Sequence, residues 1–235
     1  MIAAILDILY PPRCHGCGDA VPAGAEIMLC PTCLNEFTFI QSPLCPCCGK
    51  ELDRGGHEDH FCAACLKQPP PFARARSYVH FKPPARTLLH RLKFHGDTGA
   101  AATLVKLIAR RGEIRTKQEY DLIIPVPLHP CRLRRRGLNQ SLVLARLLFP
   151  AERRKIAPAA LVRLKNTIAQ TGLDGAARRK NLRGAFATEP SISFRGRRIL
   201  LVDDVYTTGT TVTECAQTLK KAGAELVDIV TVARV

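Results

Sequence analysis

Residues 199–211 read Ile199-Leu200-Leu201-Val202-Asp203-Asp204-Val205-Tyr206-Thr207-Thr208-Gly209-Thr210-Thr211, and their chemistry changes three times within this run. The unbroken apolar stretch 199–202 predicts a short strand buried on both faces, as in a parallel sheet. Asp203 and Asp204 stand at its C-terminal end, where open α/β sheets place their ligands. Thr207, Thr208, Gly209, Thr210 and Thr211 then supply hydroxyls and a backbone permissive enough to wrap a phosphate. Thr211-Val212-Thr213-Glu214 has the spacing of a capping box. Val212, Cys215, Ala216 and Leu219 share one face of the helix that follows, which Gly223 ends. Loop N–H groups and the positive end of that helix would meet the same anion. Acids for a polyol beside amides for a phosphate describe a sugar-phosphate site.

Two other sites share part of this pattern. Receiver domains and nucleotide hydrolases also end a strand in acids, but the chain has no Gly-x-x-x-x-Gly-Lys-[Ser/Thr] loop, which argues against a hydrolase. An ordinary turn with solvated acids is the plain alternative, since hydroxyl-Gly-hydroxyl sequences are common turn chemistry.

At 235 residues and 46% hydrophobic content, the chain suffices for one large domain or two modest ones. Residues 1–9 are apolar but interrupted by Asp7. They are too short to span a bilayer and lack the features of a secretory signal, so a cytoplasmic protein without membrane insertion is expected. The net charge of +15 is unevenly spread. Residues 131–198 hold seventeen Lys/Arg against three acids, whereas residues 1–68 hold four against eight. Such a concentration suits a polyanionic partner, either a phosphorylated small molecule or nucleic acid; a solvated basic face is the alternative. Aromatic content of 6% with no tryptophan offers few stacking platforms for single strands.

Eight of the eleven cysteines form Cys-x-x-Cys pairs: Cys14/Cys17, Cys30/Cys33, Cys45/Cys48 and Cys62/Cys65. The arrangement repeats, with Gly18 and Gly49 after the first pair of each copy and Leu34 and Leu66 after the second. Four thiolates at this spacing suit tetrahedral Zn²⁺, and two structural zinc ribbons are expected. Pairing within each copy is the simpler arrangement, and a cross-braced one is compatible with the same spacing. An acidic zinc module is poorly suited to grip DNA by itself, so a structural or protein-facing role is expected. His15, His57 and His60 are expected at the surface, and Cys131 and Cys215 as packing residues.

Pro69-Pro70-Pro71 marks a linker, dividing the chain into a zinc module (1–71) and an α/β domain (72–235). Strands are expected at 76–81, 121–127 and 226–232, and helices at 86–94, 100–111 and 141–148. Arg132, Arg134, Arg135 and Arg136 lie at a helix entry, where paired guanidinium bonds could clamp a pyrophosphate or nucleic acid phosphate; a solubilising basic turn is the alternative. Arg163, Asn166, Thr167 and Gln170 open a donor-rich stretch that continues through Arg178, Arg179 and Asn181, with Gly172 and Gly175 as hinges. It suits a flap that orders over an anionic ligand, or an ordinary exposed connection.

Taken together, these segments resemble the ComF/GntX family of competence-associated, phosphoribosyltransferase-like proteins. The likeness rests on the double ribbon and on Leu92-Lys93-Phe94-His95-Gly96-Asp97, Pro125-Val126-Pro127-Leu128-His129 and Arg136-Gly137-Leu138-Asn139-Gln140. It extends to Thr167-Ile168-Ala169-Gln170, Asn181-Leu182-Arg183-Gly184-Ala185-Phe186 and the segment 202–211. The resemblance implies a type I phosphoribosyltransferase fold, a Rossmann-like parallel sheet flanked by helices, preceded by the small double zinc ribbon. It implies binding of PRPP with Mg²⁺. Asp203 and Asp204 would take the ribose hydroxyls and the catalytic role, and residues 207–211 the 5′-phosphate. Val126, Pro127, Leu128 and His129, with Lys93 and neighbouring basic residues, would face the pyrophosphate. Met1-Ile2 offers no N-terminal cysteine nucleophile, so an ammonia-dependent amide transfer is not expected. The family association further implies a link to DNA uptake and natural transformation, with single-stranded DNA and the competence helicase and recombination proteins as partners.

Overall fold

The computed structural model describes residues 11–53, 58–112, 118–166 and 182–235. The strands among them are β1 (Arg74–His80), β2 (Leu122–Pro125), β3 (Leu161–Arg163), β4 (Phe186–Thr188), β5 (Arg198–Tyr206) and β6 (Leu226–Arg234). The helices are α1 (Pro31–Asn35), α2 (Ala63–Lys67), α3 (Ala85–His95), α4 (Thr98–Arg110), α5 (Pro130–Arg136), α6 (Gln140–Leu148) and α7 (Thr210–Lys221).

Four strands form a wholly parallel sheet in the order β1-β6-β5-β2, and β3 pairs antiparallel with β4 beside it. The central strand β5 is apolar on both faces because both are covered. Leu200 and Val202 join Leu88, Leu92, Leu104, Ile108 and Leu144 of α3, α4 and α6 on one side. Ile199 and Leu201 join Val212, Cys215 and Leu219 of α7 on the other.

The two cysteine repeats divide between these faces. Val21, Ile27, Leu29 and Phe37 around the first repeat belong to the α3/α4/α6 core. The second repeat, with Phe72, belongs to the α7 core. Between them the chain runs along the outer edge of β1. Ile40 N–H donates to Tyr78 O at 3.0 Å, and His80 and Ala75 N–H donate to Thr38 O at 2.9 Å and Cys47 O at 2.6 Å. A sheet edge that would otherwise expose unpaired backbone groups is thereby covered.

Three local features depart from the sequence expectation. The strand expected over 199–202 continues through both acids to Tyr206, because β6 stays paired with it as far as Arg234. The chain before α6 is itself a helix, α5, with His129 as N-cap and Pro130 in its first turn. Helix α7 starts at Thr210 behind Gly209, which lies at φ +75°, so the Thr211/Glu214 capping box is not used.

Glycine is required where the second repeat meets the sheet. Gly49 sits at φ +67°, and a Cβ there would run into the carbonyl oxygen of Ala75, whereas Gly18 at φ +89° faces open space. Gly18→Ala is therefore expected to cost about 1–2 kcal/mol, the left-handed backbone penalty alone. Gly49→Ala is expected to cost more, because the steric conflict adds to that penalty. Denaturant unfolding of the two variants checks the order, and equal losses would contradict the close approach at Ala75.

Candidate functional site

Strands β2 and β5 are parallel neighbours, yet the helices that follow them cover opposite faces, α6 one and α7 the other. Their C-terminal ends therefore bound a crevice at a topological switch point. β2 ends at Pro125, and its last bond to β5 is Val126 N–H to Val202 O at 2.9 Å. Asp203 and Asp204 are the next two residues of β5.

Both acids are buried, at 8% and 7% exposure. Asp203 Oδ1 accepts from Ser141 Oγ at 2.8 Å and from the backbone N–H of Asp204 at 2.9 Å. Lys93 Nζ, from the last turn of α3, lies 3.8 Å from Asp204 Oδ2. Burial, and next the adjacent Asp204 charge, push Asp203 up to about 8, while Ser141 and the Asp204 N–H act the other way. Two adjacent buried carboxyl groups with few donors around them leave oxygens that can accept hydrogen bonds from a ligand or take a cation.

The four arginines of α5 separate by helical position. Arg132 and Arg136, four apart, are half-buried, whereas Arg134 and Arg135 are exposed. Arg136 donates to Gln140 Oε1 at 3.2 Å, lies 5.8 Å from the Phe94 ring centre and feels the charge of Asp204. Arg163, at the end of β3, lies 5.5 Å from the Phe186 ring centre. Burial and then Arg132 lower its pKa, while Asp203 opposes the shift. Lys93, Arg136 and Arg163 thus share the electrostatic neighbourhood of the acid pair. Asn166 is exposed, and Thr167, Gln170, Gly172, Gly175, Arg178, Arg179 and Asn181 lie outside the described residues, as do residues 1–10 and His57.

One asparagine connects the turn after β2 to the acids. Asn139 caps α6, its Oδ1 accepting from Ser141 and Leu142 N–H at 2.9 and 3.4 Å, while its Nδ2 donates to Val126 O at 3.2 Å. Val126 and Pro127 are buried, and Leu128 and His129 are half-buried. His129 Nδ1 accepts from Cys131 N–H at 3.3 Å. Beyond the acids, Thr207 and Thr208 are exposed, Thr208 Oγ1 lies 2.8 Å from Thr210 Oγ1, and Gly209 provides no side-chain cap to α7. The first-turn N–H groups of that helix are left without a capping side chain beside the loop.

Ser141 is the site residue that sequence reasoning missed. Asn139-Gln140-Ser141 directly before an apolar run is an N-cap signature, and it would have placed a small hydroxyl in the first turn of a buried helix.

The cysteines group within each repeat. The Sγ atoms of Cys14, Cys17, Cys30 and Cys33 lie within 4.8 Å of one another, as do those of Cys45, Cys48, Cys62 and Cys65. This is the sequential pairing, not the cross-braced one. Cys17 and Cys30 Sγ are 3.6 Å apart, and Cys48 and Cys62 Sγ are 3.7 Å apart. A tetrahedral site with Zn–S near 2.3 Å has S···S edges of about 3.8 Å, so both clusters fit zinc. Corresponding backbone N–H groups support each cluster, Cys30 to Cys14 Sγ at 3.2 Å and Cys62 to Cys45 Sγ at 3.5 Å. Burial would raise Cys14 and Cys45, yet such bonds bring both thiols down to about 6, as metal-binding thiolates require.

Two expectations about neighbouring residues are corrected. His15 is half-buried, with Nδ1 3.0 Å from Thr103 Oγ1, because the first ribbon docks on α4 there. Cys131 is exposed on α5, since that segment is an outward-facing helix and not part of the core; Cys215 is fully buried.

A parallel sheet covered by helices, with acids at its switch point and two Cys₄ clusters against its faces, defines a phosphoribosyltransferase-type protein carrying a double zinc ribbon. Family models agree: residues 5–71 match the Double zinc ribbon domain and residues 148–235 the Phosphoribosyl transferase domain. The chain is 36% identical over 207 residues to "DNA utilization protein YhgH" of Shigella flexneri, covering 86% of this chain and 88% of that protein. It is 36% identical over 211 residues to "Competence protein F" of Haemophilus influenzae, covering 88% and 90%. To "Competence protein ComFC" of Bacillus subtilis it is 26% identical over 201 residues, covering 83% and 79%. The chain belongs to the ComF/GntX family. Among the described residues no helix is long and apolar enough to cross a membrane.

The buried acid makes a signed pH prediction. Asp203 has a folded pKa of about 8, above its ordinary value of 3.8, so the stability it supplies as a neutral acid is lost as pH rises between those values. Asp203→Asn should match the wild type near pH 4 and exceed it above pH 8 by roughly 5 kcal/mol at most, the full shift converted. Thermal unfolding across that range is the check. A wild type more stable than the variant at pH 8.5 would contradict the burial of a strained acid.

Proposed function

We propose that this chain binds PRPP together with Mg²⁺ and works as a phosphoribosyltransferase-type protein in cytoplasmic DNA utilisation. Residues 1–71 form the zinc module and residues 72–235 the transferase-type domain. The carrying observation is the buried Asp203–Asp204 pair at the switch point, directly before a helix start that lacks a side-chain cap. The acids accept from the ribose hydroxyls, and residues 207–211 with the first turn of α7 hold the 5′-phosphate. Lys93, Arg132, Arg136 and the turn 126–129 line the pyrophosphate side, with Arg163 close to the acid pair. As the bond to pyrophosphate loosens, positive charge grows on the sugar, and the acid pair is already in place to stabilise it. Mg²⁺ would be held beside Asp203 and Asp204 together with the substrate phosphates, and would supply charge neutralisation for the departing pyrophosphate. The names of the relatives support the DNA link, and free thiols in Cys₄ sets suit a reducing cytoplasm.

A second activity, single-stranded DNA binding, is favoured by a surface feature. Phe81, His90 and Phe94 form an aromatic ladder with ring centres 5.9 and 5.5 Å apart. Phe94 is 64% exposed, and exposed Lys82, Arg86, Arg134 and Arg135 accompany the ladder. Stacking platforms with nearby cations are the means by which unpaired strands are held. The low aromatic content of the chain thus understates what α3 displays.

Calorimetry tests the first proposal: PRPP with Mg²⁺ should bind saturably, and Asp204→Asn should weaken binding at least about tenfold while the fold stays intact. Unchanged affinity in that variant would remove the site assignment. For the second, an Arg134→Ala/Arg135→Ala pair should weaken oligo-dT binding and reduce the slope of log K against log salt by about 1.4. A slope that ignores both arginines would place the strand elsewhere.

A further inference from the structure

We infer that the second zinc centre sets the shape of the phosphate loop, acting through Arg234 and Tyr206; the consequence for ligand affinity rests on the sugar-phosphate role proposed for that loop. Arg234 ends β6 opposite Tyr206 of β5 in the parallel register. Its Nη1 donates to Cys48 O at 2.6 Å, and its Nη2 lies 4.0 Å from Cys48 Sγ. The same guanidinium lies 4.3 Å from the centre of the Tyr206 ring.

The ring in turn supports the loop. A Cβ on Gly209 would collide with Tyr206 Oη and lie 2.6 Å from its Cζ, so the ring sits against the backbone that turns into α7. A chain of direct contacts therefore runs from a thiolate of the second cluster to a cation, to an aromatic face, to the left-handed glycine of the loop. Each link has a physical cause. A zinc ion with four thiolates carries a formal charge of −2, which holds the guanidinium in place. A guanidinium is planar, so it can stack on a ring while its edge donates hydrogen bonds. A lysine cannot do both.

The first centre is docked differently. Its contacts run to α3 and α4, with Arg110 to Glu26 at 2.6 Å, His15 to Thr103 at 3.0 Å and Arg91 to His15 O at 3.4 Å. These residues lie on elements other than the loop. Arg234 is accordingly a positioning residue, and the two centres have separate duties: one braces the α3/α4 layer, the other the phosphate loop.

The test uses the full chain and three readouts: bound zinc by elemental analysis, amide hydrogen exchange over residues 206–213, and calorimetry with PRPP and Mg²⁺. In Arg234→Gln and Arg234→Lys, zinc content should stay at two per chain and exchange at 207–213 should accelerate. PRPP binding should weaken roughly three- to tenfold. Tyr206→Phe keeps the ring under Arg234 but removes the Oη nearest Gly209, so its loop exchange should fall between wild type and Arg234→Gln, and Arg110→Gln should leave loop exchange unchanged. Tyr206→Leu leaves the Cys48 contacts intact, and it decides the matter should the Arg234 variants lose metal. Loop exchange equal to wild type in Tyr206→Leu, or in a zinc-loaded Arg234→Gln, would overturn the coupling. Faster loop exchange in a chain whose wild type ignores PRPP would uphold the coupling and defeat the ligand assignment.

Discussion

The site depends on an inequality in how β5 is hydrogen-bonded. On the β6 side its pairing continues to Tyr206 and Arg234; on the β2 side it ends at Val202, beside Pro125. Proline has no N–H to extend the ladder, and the Pro127 that follows shortly has none either. β5 therefore carries Asp203 and Asp204 beyond its neighbour while still held rigidly from the other side. Rigid support on one edge and an open crevice on the other are what a ligand site needs. The same continued pairing with β6 delivers Arg234 to the second cysteine cluster.

Burying two carboxylates side by side works against stability, and the surroundings offset it incompletely. Ser141 and a backbone N–H satisfy one oxygen of Asp203, and Lys93 approaches Asp204, yet Asp203 remains raised. A fully neutralised pair would have less to offer an incoming ligand. Strain of this kind is retained where function uses it, and the apolar core on both faces of β5 provides the stability that permits it. Lys93 and Ser141 come from α3 and α6, both packed on the same face, so one layer of helices carries both partners of the acid pair.

Much of this was legible in the sequence wherever chemistry and spacing are local. The run 199–202 announces a doubly covered strand, the Cys-x-x-Cys repeats announce two four-thiol clusters, and Gly209 marks the left-handed turn. What escaped was set by partners distant along the chain. The length of β5 is decided by β6, because the two aspartates in it are poor strand formers by themselves. Ser141 meets Asp203 across 62 positions, and Arg234 meets Cys48 across 186. The separation of the α5 arginines into an inner and an outer pair required knowing that the segment is helical, although Pro130 after His129 is a readable start signal.

The placement of the ribbons bears on what kind of module they are. An adaptor joined by a linker would keep its own core and bury little against its neighbour. Here Val21, Ile27, Leu29 and Phe37 complete the core under α3 and α4, and Phe72 with the second cluster completes the one under α7. The segment between them covers the β1 edge by backbone hydrogen bonds. Each ribbon by itself is too small to bury a sufficient core, and metal and sheet together make up the difference. The two cysteine clusters and the α/β sheet thus share their cores, one on each face.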